Sequence, residues 1–202
     1  MSLTSCKLGD LISISKGRKA AEVLDTPTAT SKRYIQINDL RTDEKIIYAE
    51  DPSGVEVVSS DICIAWDGAN AGTVGYGLSG YIGSTIARLR AKSCAQFFSP
   101  YVGRFLQTKF SYLNGGTTGA TIPHVSKDKL LDLEIPLPPL DEQRRIAAIL
   151  DKTDAIRRKR QESIRLTEEF IRSTFLEMFG DPVTNPKGWK VKPLENLVNF
   201  TT

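Results

Sequence analysis

No apolar run in this 202-residue chain approaches the ~20 residues needed to span a bilayer. The N-terminus, Met1-Ser2-Leu3-Thr4-Ser5-Cys6-Lys7, lacks the apolar core of a signal peptide. Cysteine is scarce: Cys6, Cys63 and Cys94 are odd in number and widely spaced. That argues against a disulfide framework and for a reducing, cytoplasmic setting with no membrane. The single histidine, His124, has no Cys or His within zinc-site spacing, so no metal site is expected. There is no phosphate-cradling G-x-x-x-x-G-K-[ST] and no G-x-S-x-G nucleophile turn. Asn185-Pro186-Lys187-Gly188 begins like the Asn-Pro-Pro-aromatic motif of amino-methyltransferases but fails at its third and fourth positions. Asp43-Glu44-Lys45 is too short a fragment to define a nuclease site. Charge of one sign is missing as well. Residues 1–140 carry 15 basic and 14 acidic side chains, residues 141–179 carry 9 and 8, and residues 180–202 carry 3 and 2. No basic tail of the kind that binds nucleic acid non-specifically is present. Methyl transfer, ATP use and phosphodiester cleavage therefore find no motif here.

What is present fits one good-sized domain plus an extension. Hydrophobic residues make up 40% and charged residues 25%, as in an ordinary globular protein. Leu8, Leu11, Ile12 and Ile14 predict a short helical turn leading into a strand. Tyr34-Ile35-Gln36-Ile37 alternates and predicts a strand closed by Asn38-Asp39. Further strands are predicted at 46–49, 55–58, 62–66, 85–90 and 133–137. The segment 67–83 holds six glycines, as tightly bent antiparallel strands and turns require. Within it, Gly75-Tyr76-Gly77-Leu78-Ser79-Gly80 matches G-x-G-x-x-G. Tyr81-Ile82-Gly83-Ser84 is a poor helix start and no acidic residue follows about twenty positions on, so strand and turn glycines account for it better than a dinucleotide site. Val102, Phe105, Leu106 and Phe110 have helical spacing, and 126–129 predicts a helical turn.

The junction Pro136-Leu137-Pro138-Pro139-Leu140-Asp141-Glu142-Gln143 divides the chain. Prolines stiffen it, and Asp141 and Glu142 put acceptors and negative charge at a helix N-terminus. From Asp141 to Phe179 there is no proline or glycine. Ile146, Ile149, Leu150, Ile156, Ile164, Ile171, Phe175 and Met178 form an apolar seam along this stretch, interrupted by Arg157-Arg158-Lys159-Arg160. A helix this long cannot bury its seam on itself and needs a partner helix. Gly180-Asp181-Pro182 stops it. The final residues echo the first: Leu8, Leu11, Ile12 and Ile14 correspond to Leu194, Leu197, Val198 and Phe200. A second copy of the domain is therefore expected to begin in residues 180–202.

LGDLISISKG (8–17), YIQINDL (34–40), DICIAWDGANAG (61–72) and GATIPHVSKDKLLDLEIPLPPLDEQRRIAAIL (119–150) resemble the specificity subunit of type I restriction–modification enzymes. Gly188-Trp189 with Pro193-Leu194 resembles the start of that family's second recognition domain. The resemblance implies an α+β fold: a mainly antiparallel, β-rich target recognition domain (1–140), then a long spacer helix (141–179) that pairs as an antiparallel coiled coil. It implies a non-catalytic reader of one half of a bipartite double-stranded DNA target. Methyltransferase and motor-nuclease subunits would dock on it. S-adenosylmethionine, ATP and Mg would belong to those partners, with no cofactor bound by this chain. The partner helix would come from a following half or from another copy, as a homodimer. A self-associating helical scaffold without base reading is the alternative that seam and balanced charge also allow.

DNA-contact candidates follow from residue chemistry. Lys16, Arg18, Lys19, Lys32 and Arg33 are a candidate basic face, with Tyr34 and Asn38 nearby, and Asn70 is a further candidate. Arginine can bond guanine O6 and N7, and asparagine adenine N6 and N7. Gly116, Thr117, Thr118 and Thr121 lie in a Gly/Thr loop suited to close approach to a phosphate backbone. His124 sits beside that loop. Its ordinary reading is a loop or capping residue, and its functional one is a DNA contact.

Overall fold

The computed structural model describes residues 5–51, 53–92, 97–114, 123–193 and 197. The chain forms two compact units, Met1–Leu150 and Asp151–Thr202. The first unit opens with β1 (Ser5–Lys7), the helical turn α1 (Leu8–Leu11) and β2 (Ile12–Lys16). Then come β3 (Lys32–Ile35), a 3-10 turn (Ile37–Leu40), β4 (Tyr48–Ala49), β5 (Glu56–Val57) and β6 (Ile62–Ala65). β7 (Val74–Tyr76), β8 (Gly80–Ile82) and β9 (Ile86–Ala91) precede α2 (Ser99–Thr108), α3 (Phe110–Asn114), α4 (Lys127–Leu131) and β10 (Glu134–Pro136). The long helix α5 spans Leu140–Phe179. The fold is α+β.

One four-stranded antiparallel sheet has the order β2-β9-β6-β7, and a second has the order β4-β3-β8-β5. Only β3 and β8 pair in parallel among the described strands. The pleat of β6 explains how the layers stack. All four of its residues are buried, and successive side chains point to opposite faces. Ile62 and Ile64 join a core with α1, α2, α4 and β10. Cys63 and Ala65 join a second core with Ile35, Val57 and Ile82 of the other sheet. The first sheet is thus covered on both faces, which is why β6 reads as an unbroken apolar run rather than an alternation. Gly75 lies in β7 and Gly80 opens β8, so the G-x-G-x-x-G run is strand and turn with no helix beginning there.

Polar groups close the edges of these cores. Asp61, with 2% of its side chain exposed, accepts bonds from Arg90 Nε at 2.8 Å and Nη2 at 2.6 Å, and from the Val58 N–H at 2.9 Å. Burial raises the pKa of this carboxyl, but the Arg90 and Val58 bonds, with the charges of Arg90 and Arg88, hold it below its ordinary value. Burial also pushes the Cys63 thiol up to about 12, so it stays protonated.

β1 pairs with β10, joining the N-terminus to the strand before the proline junction. Beyond the prolines, the Glu142 and Gln143 N–H groups both reach the Pro139 carbonyl. Gln143 is only 1% exposed. Its Oε1 accepts from the Phe98 N–H at 2.8 Å and its Nε2 donates to the Pro138 carbonyl at 2.8 Å. Ala147 is buried in the first core, and Ile146 packs against it. Ile146, expected in the pairing seam, therefore belongs to the domain's own packing, because the first turns of α5 are built into the first unit.

In the second unit, no residue of α5 from Asp151 onward is buried. Ile156, Ile164, Ile171, Phe175 and Met178 are all exposed. A helix of this length extends about 60 Å at 1.5 Å per residue. Its end is held by its own following segment. Gly180 takes φ +78°, the left-handed conformation that glycine adopts without a Cβ clash. Lys187 Nζ donates to the carbonyls of Glu177 and Met178, each at 2.6 Å, and Trp189 Nε1 to that of Phe179 at 2.8 Å.

The bonds of Gln143 and Asp61 each set a measurable stability. Gln143→Ala leaves a buried donor and a buried acceptor unpaired and is expected to cost about 2–5 kcal/mol; equal urea midpoints for variant and wild type would contradict this. A carboxyl whose folded pKa is lowered stabilises the fold above its unfolded value near 3.8, and that contribution is lost as pH falls through the folded value. Asp61→Asn is therefore expected to be less stable than wild type at neutral pH and to show a shallower loss below about pH 4, measured by urea midpoints across the acid range.

Candidate nucleic-acid interface

The loop after β2 is pinned where the two sheets meet. Gly17 N–H donates to the Ile86 carbonyl at 2.9 Å and Arg18 N–H to that of Ile82 at 3.3 Å. A Cβ on Gly17 would lie 2.3 Å from the Gly83 oxygen and 2.4 Å from the Ile82 oxygen, so only glycine lets the chain pass this close. Tyr34 secures the next residues. Its buried hydroxyl accepts from the Ala20 N–H at 3.2 Å and donates to the Arg18 carbonyl at 3.1 Å. With the backbone held, the Arg18 and Lys19 side chains are exposed. Neither makes a side-chain hydrogen bond or ion pair among the described residues.

The segment after β3 is held as firmly. Arg33 Nη2 bonds Asp39 Oδ1 at 2.6 Å and Asp43 Oδ1 at 2.5 Å. Asp39 Oδ2 accepts from the Gln36 N–H at 2.6 Å. Burial lowers the Arg33 pKa, but its two aspartates outweigh that and raise it. Arg33 and Tyr34, both proposed from sequence to meet DNA, are taken up by the fold: one is clamped by two carboxylates, the other buried as a hydroxyl clasp. Lys32 is engaged by Glu56 at 2.6 Å, and Lys16 by Asp67 at 2.6 Å.

A third segment arrives from the glycine-rich stretch. Trp66 N–H donates to the Thr85 carbonyl at 2.7 Å, and Gly68 N–H to that of Pro123 at 2.8 Å. Asp67 and His124 form an antiparallel bridge. His124 is exposed and shares this edge with Lys16 through Asp67. Asn70 Oδ1 accepts from Arg41 at 3.1 Å, and Arg41 also bonds Thr73 at 2.8 Å. Gly116, Thr117, Thr118 and Thr121 lie outside the described residues.

Lys19, Tyr34 and Asn38 come together with Gln36, Ser84 and Thr85 around a depression of about 380 Å³. Sequence reasoning missed the last three. Gln36 lies within YIQINDL, but Ser84 and Thr85 join it only through the parallel β3–β8 pairing. Among the described residues, no group of three or more His, Cys, Asp or Glu is placed to hold a metal ion, and no helix is long and apolar enough to cross a membrane.

A two-sheet domain whose edge offers free basic, amide and hydroxyl groups, in one chain with a long helix, has the makeup of a nucleic-acid recognition protein. The chain belongs to the type I restriction modification DNA specificity domain family, whose model matches residues 3–167. It is 30% identical to the type I restriction enzyme MjaVIII specificity subunit of Methanocaldococcus jannaschii, over 96% of this chain and 48% of that protein. It is 36% identical to the putative MjaX specificity subunit of the same organism, over 40% of this chain and 19% of that one. The chain thus spans about half the length of the MjaVIII subunit. Among solved structures, one of a type I R-M system superposes with a TM-score of 0.62 at 23% identity, over 85% of this chain and 43% of the other. The S subunit from M. genitalium superposes at 0.57 and 18% identity, over 89% and 46%. The HsdS subunit from Thermoanaerobacter tengcongensis superposes at 0.52 and 24%, over 75% and 37%. At these identities the likeness to solved structures is one of fold.

Proposed function

We propose that this chain reads one half of a bipartite double-stranded DNA target for a type I restriction–modification complex and supplies no catalysis itself. Its family membership supports this reading, and the observation that carries the site is the edge where exposed Arg18 and Lys19, with no side-chain partner among the described residues, exposed His124 and the Asn38 depression converge. Arg18 and Lys19 neutralise phosphates and set position, while neutral polar groups address base edges. The exposed apolar side of α5 between Ile149 and Met178 pairs with a second such helix, from the same polypeptide or from another copy. Methyltransferase subunits dock on this assembly, and motor-nuclease subunits join it. S-adenosylmethionine, ATP and Mg serve those partners.

Selection from randomised duplex DNA, with the methyltransferase subunit present, is expected to enrich a defined half-site. Recovery of no motif would favour the scaffold reading instead. In salt titrations, Arg18→Ala with Lys19→Ala is expected to flatten log K against log[salt] by about 0.9 for each phosphate that is no longer neutralised; an unchanged slope would remove these two residues from the interface.

Helix length is proposed to set the distance between half-sites. Removing two turns from both paired helices takes out about 11 Å and is expected to change the recognised spacer by about three base pairs. An unchanged spacer in the selected sites would refute the ruler.

A further inference from the structure

We infer that Asn38 is a base-reading residue of this domain, that it addresses an adenine edge, and that Ser84 and Thr85 form the opposite wall of the same reading surface. The inference rests on the DNA-reading function proposed above and assigns it to particular atoms.

The backbone carbonyl of Asn38 is hydrogen-bonded twice to the chain that follows. It accepts from the N–H groups of Arg41 at 2.9 Å and Thr42 at 3.0 Å. The 3-10 turn that carries Asn38 is clamped through Asp39 by Arg33, whose side chain is only 17% exposed. Yet the Asn38 side chain is exposed and makes no hydrogen bond among the described residues. A rigid backbone carrying a free carboxamide is a preorganised donor–acceptor pair, which loses little freedom on binding. The facing turn is equally fixed. Gly83 N–H donates to the Ile35 carbonyl at 3.0 Å, and the Thr85 carbonyl accepts from Trp66. The Ser84 and Thr85 side chains are exposed, and their hydroxyls have no partner among the described residues.

Charge decides which side of this segment the DNA takes. Asn38 also borders a second depression of about 320 Å³, whose lining sets Asp25, Asp39 and Glu44 against a single cation, Lys45. Arg33 offsets Asp39 and Lys45 lies 3.7 Å from Asp25, which leaves a carboxylate excess at Glu44 that disfavours a polyanion. The 380 Å³ depression has Lys19 in its wall and no carboxylate in its lining. Lys19 can therefore hold a phosphate while the neutral amide meets a base. A carboxamide presents one donor and one acceptor side by side, the pattern that complements adenine N6 and N7.

The test is selection from a randomised duplex library by the full chain with the methyltransferase subunit. Wild type, Asn38→Ala, Asn38→Asp, Ser84→Ala and Lys19→Ala are compared, with unfolding midpoints confirming that each variant folds. Asn38→Ala is expected to lose discrimination at one base pair of the half-site by roughly ten- to a hundredfold, leaving the other positions intact. Asn38→Asp has the same shape but only accepts, and is expected to shift that position towards cytosine. Lys19→Ala is expected to weaken all sequences alike. If wild type selects a motif and neither Asn38 variant nor Ser84→Ala alters any position of it, this assignment is overturned while DNA reading stands. If wild type selects no motif, DNA reading fails and the assignment fails with it.

Discussion

The Gln143 carboxamide uses both of its ends inside the protein. It accepts from the backbone where α2 begins and donates to a carbonyl within the proline junction. The α2 start lies far in sequence from the junction and the start of α5, and water is excluded from the bonds between them. A buried amide left half-satisfied is costly, so three chain directions are specified together or not at all. Within the first unit, this hydrogen-bond geometry fixes the register of the first turns of α5, where Ala147 and Ile146 pack against the core.

The same logic runs through the candidate interface. Its backbone is held by groups whose chemistry is also that of DNA ligands or close-approach sites: a buried tyrosine hydroxyl, an arginine between two aspartates and a glycine in a tight passage. Their engagement in the fold leaves Arg18, Lys19, Asn38, Ser84 and Thr85 available. The near balance of charge in residues 1–140 agrees with this division. Lys7, Lys16, Lys32, Arg33, Lys45 and Arg90 each meet a carboxylate, whereas Arg18 and Lys19 stand open at the edge where the segments converge. In the proposed reading, local exposure of a few charges, and not net charge, is what would draw an anion to this surface.

Much of the fold was legible because its elements announce themselves locally. The apolar residues at 62–65, the alternation at 86–90 and the proline-free, glycine-free stretch after Leu140 each correspond to an element. The short strand at 5–7 was not legible, since three residues pairing with 134–136 carry no pattern of their own. Nor was the parallel pairing of β3 and β8, which depends on a partner about 47 residues away. Within the site, residue type suggested Lys19, Asn38, Arg33 and Tyr34 alike, whereas the structure leaves the first two exposed and engages the other two in the fold. An arginine with two nearby aspartates is free or clamped according to side-chain geometry alone.

The sequence by itself determined the division into a mixed domain and a long helix, the apolar seam and the family. Those follow from periodicity, from proline and glycine placement and from extended motifs, all of which are local properties of the chain. Tertiary structure decided which polar residues are spent on holding the fold and which remain open. It also decided that the 83–85 turn would face the 36–38 segment. Both outcomes depend on burial and on pairings between distant segments, and the physical worth of a charge or an amide is set by whether a partner or water meets it.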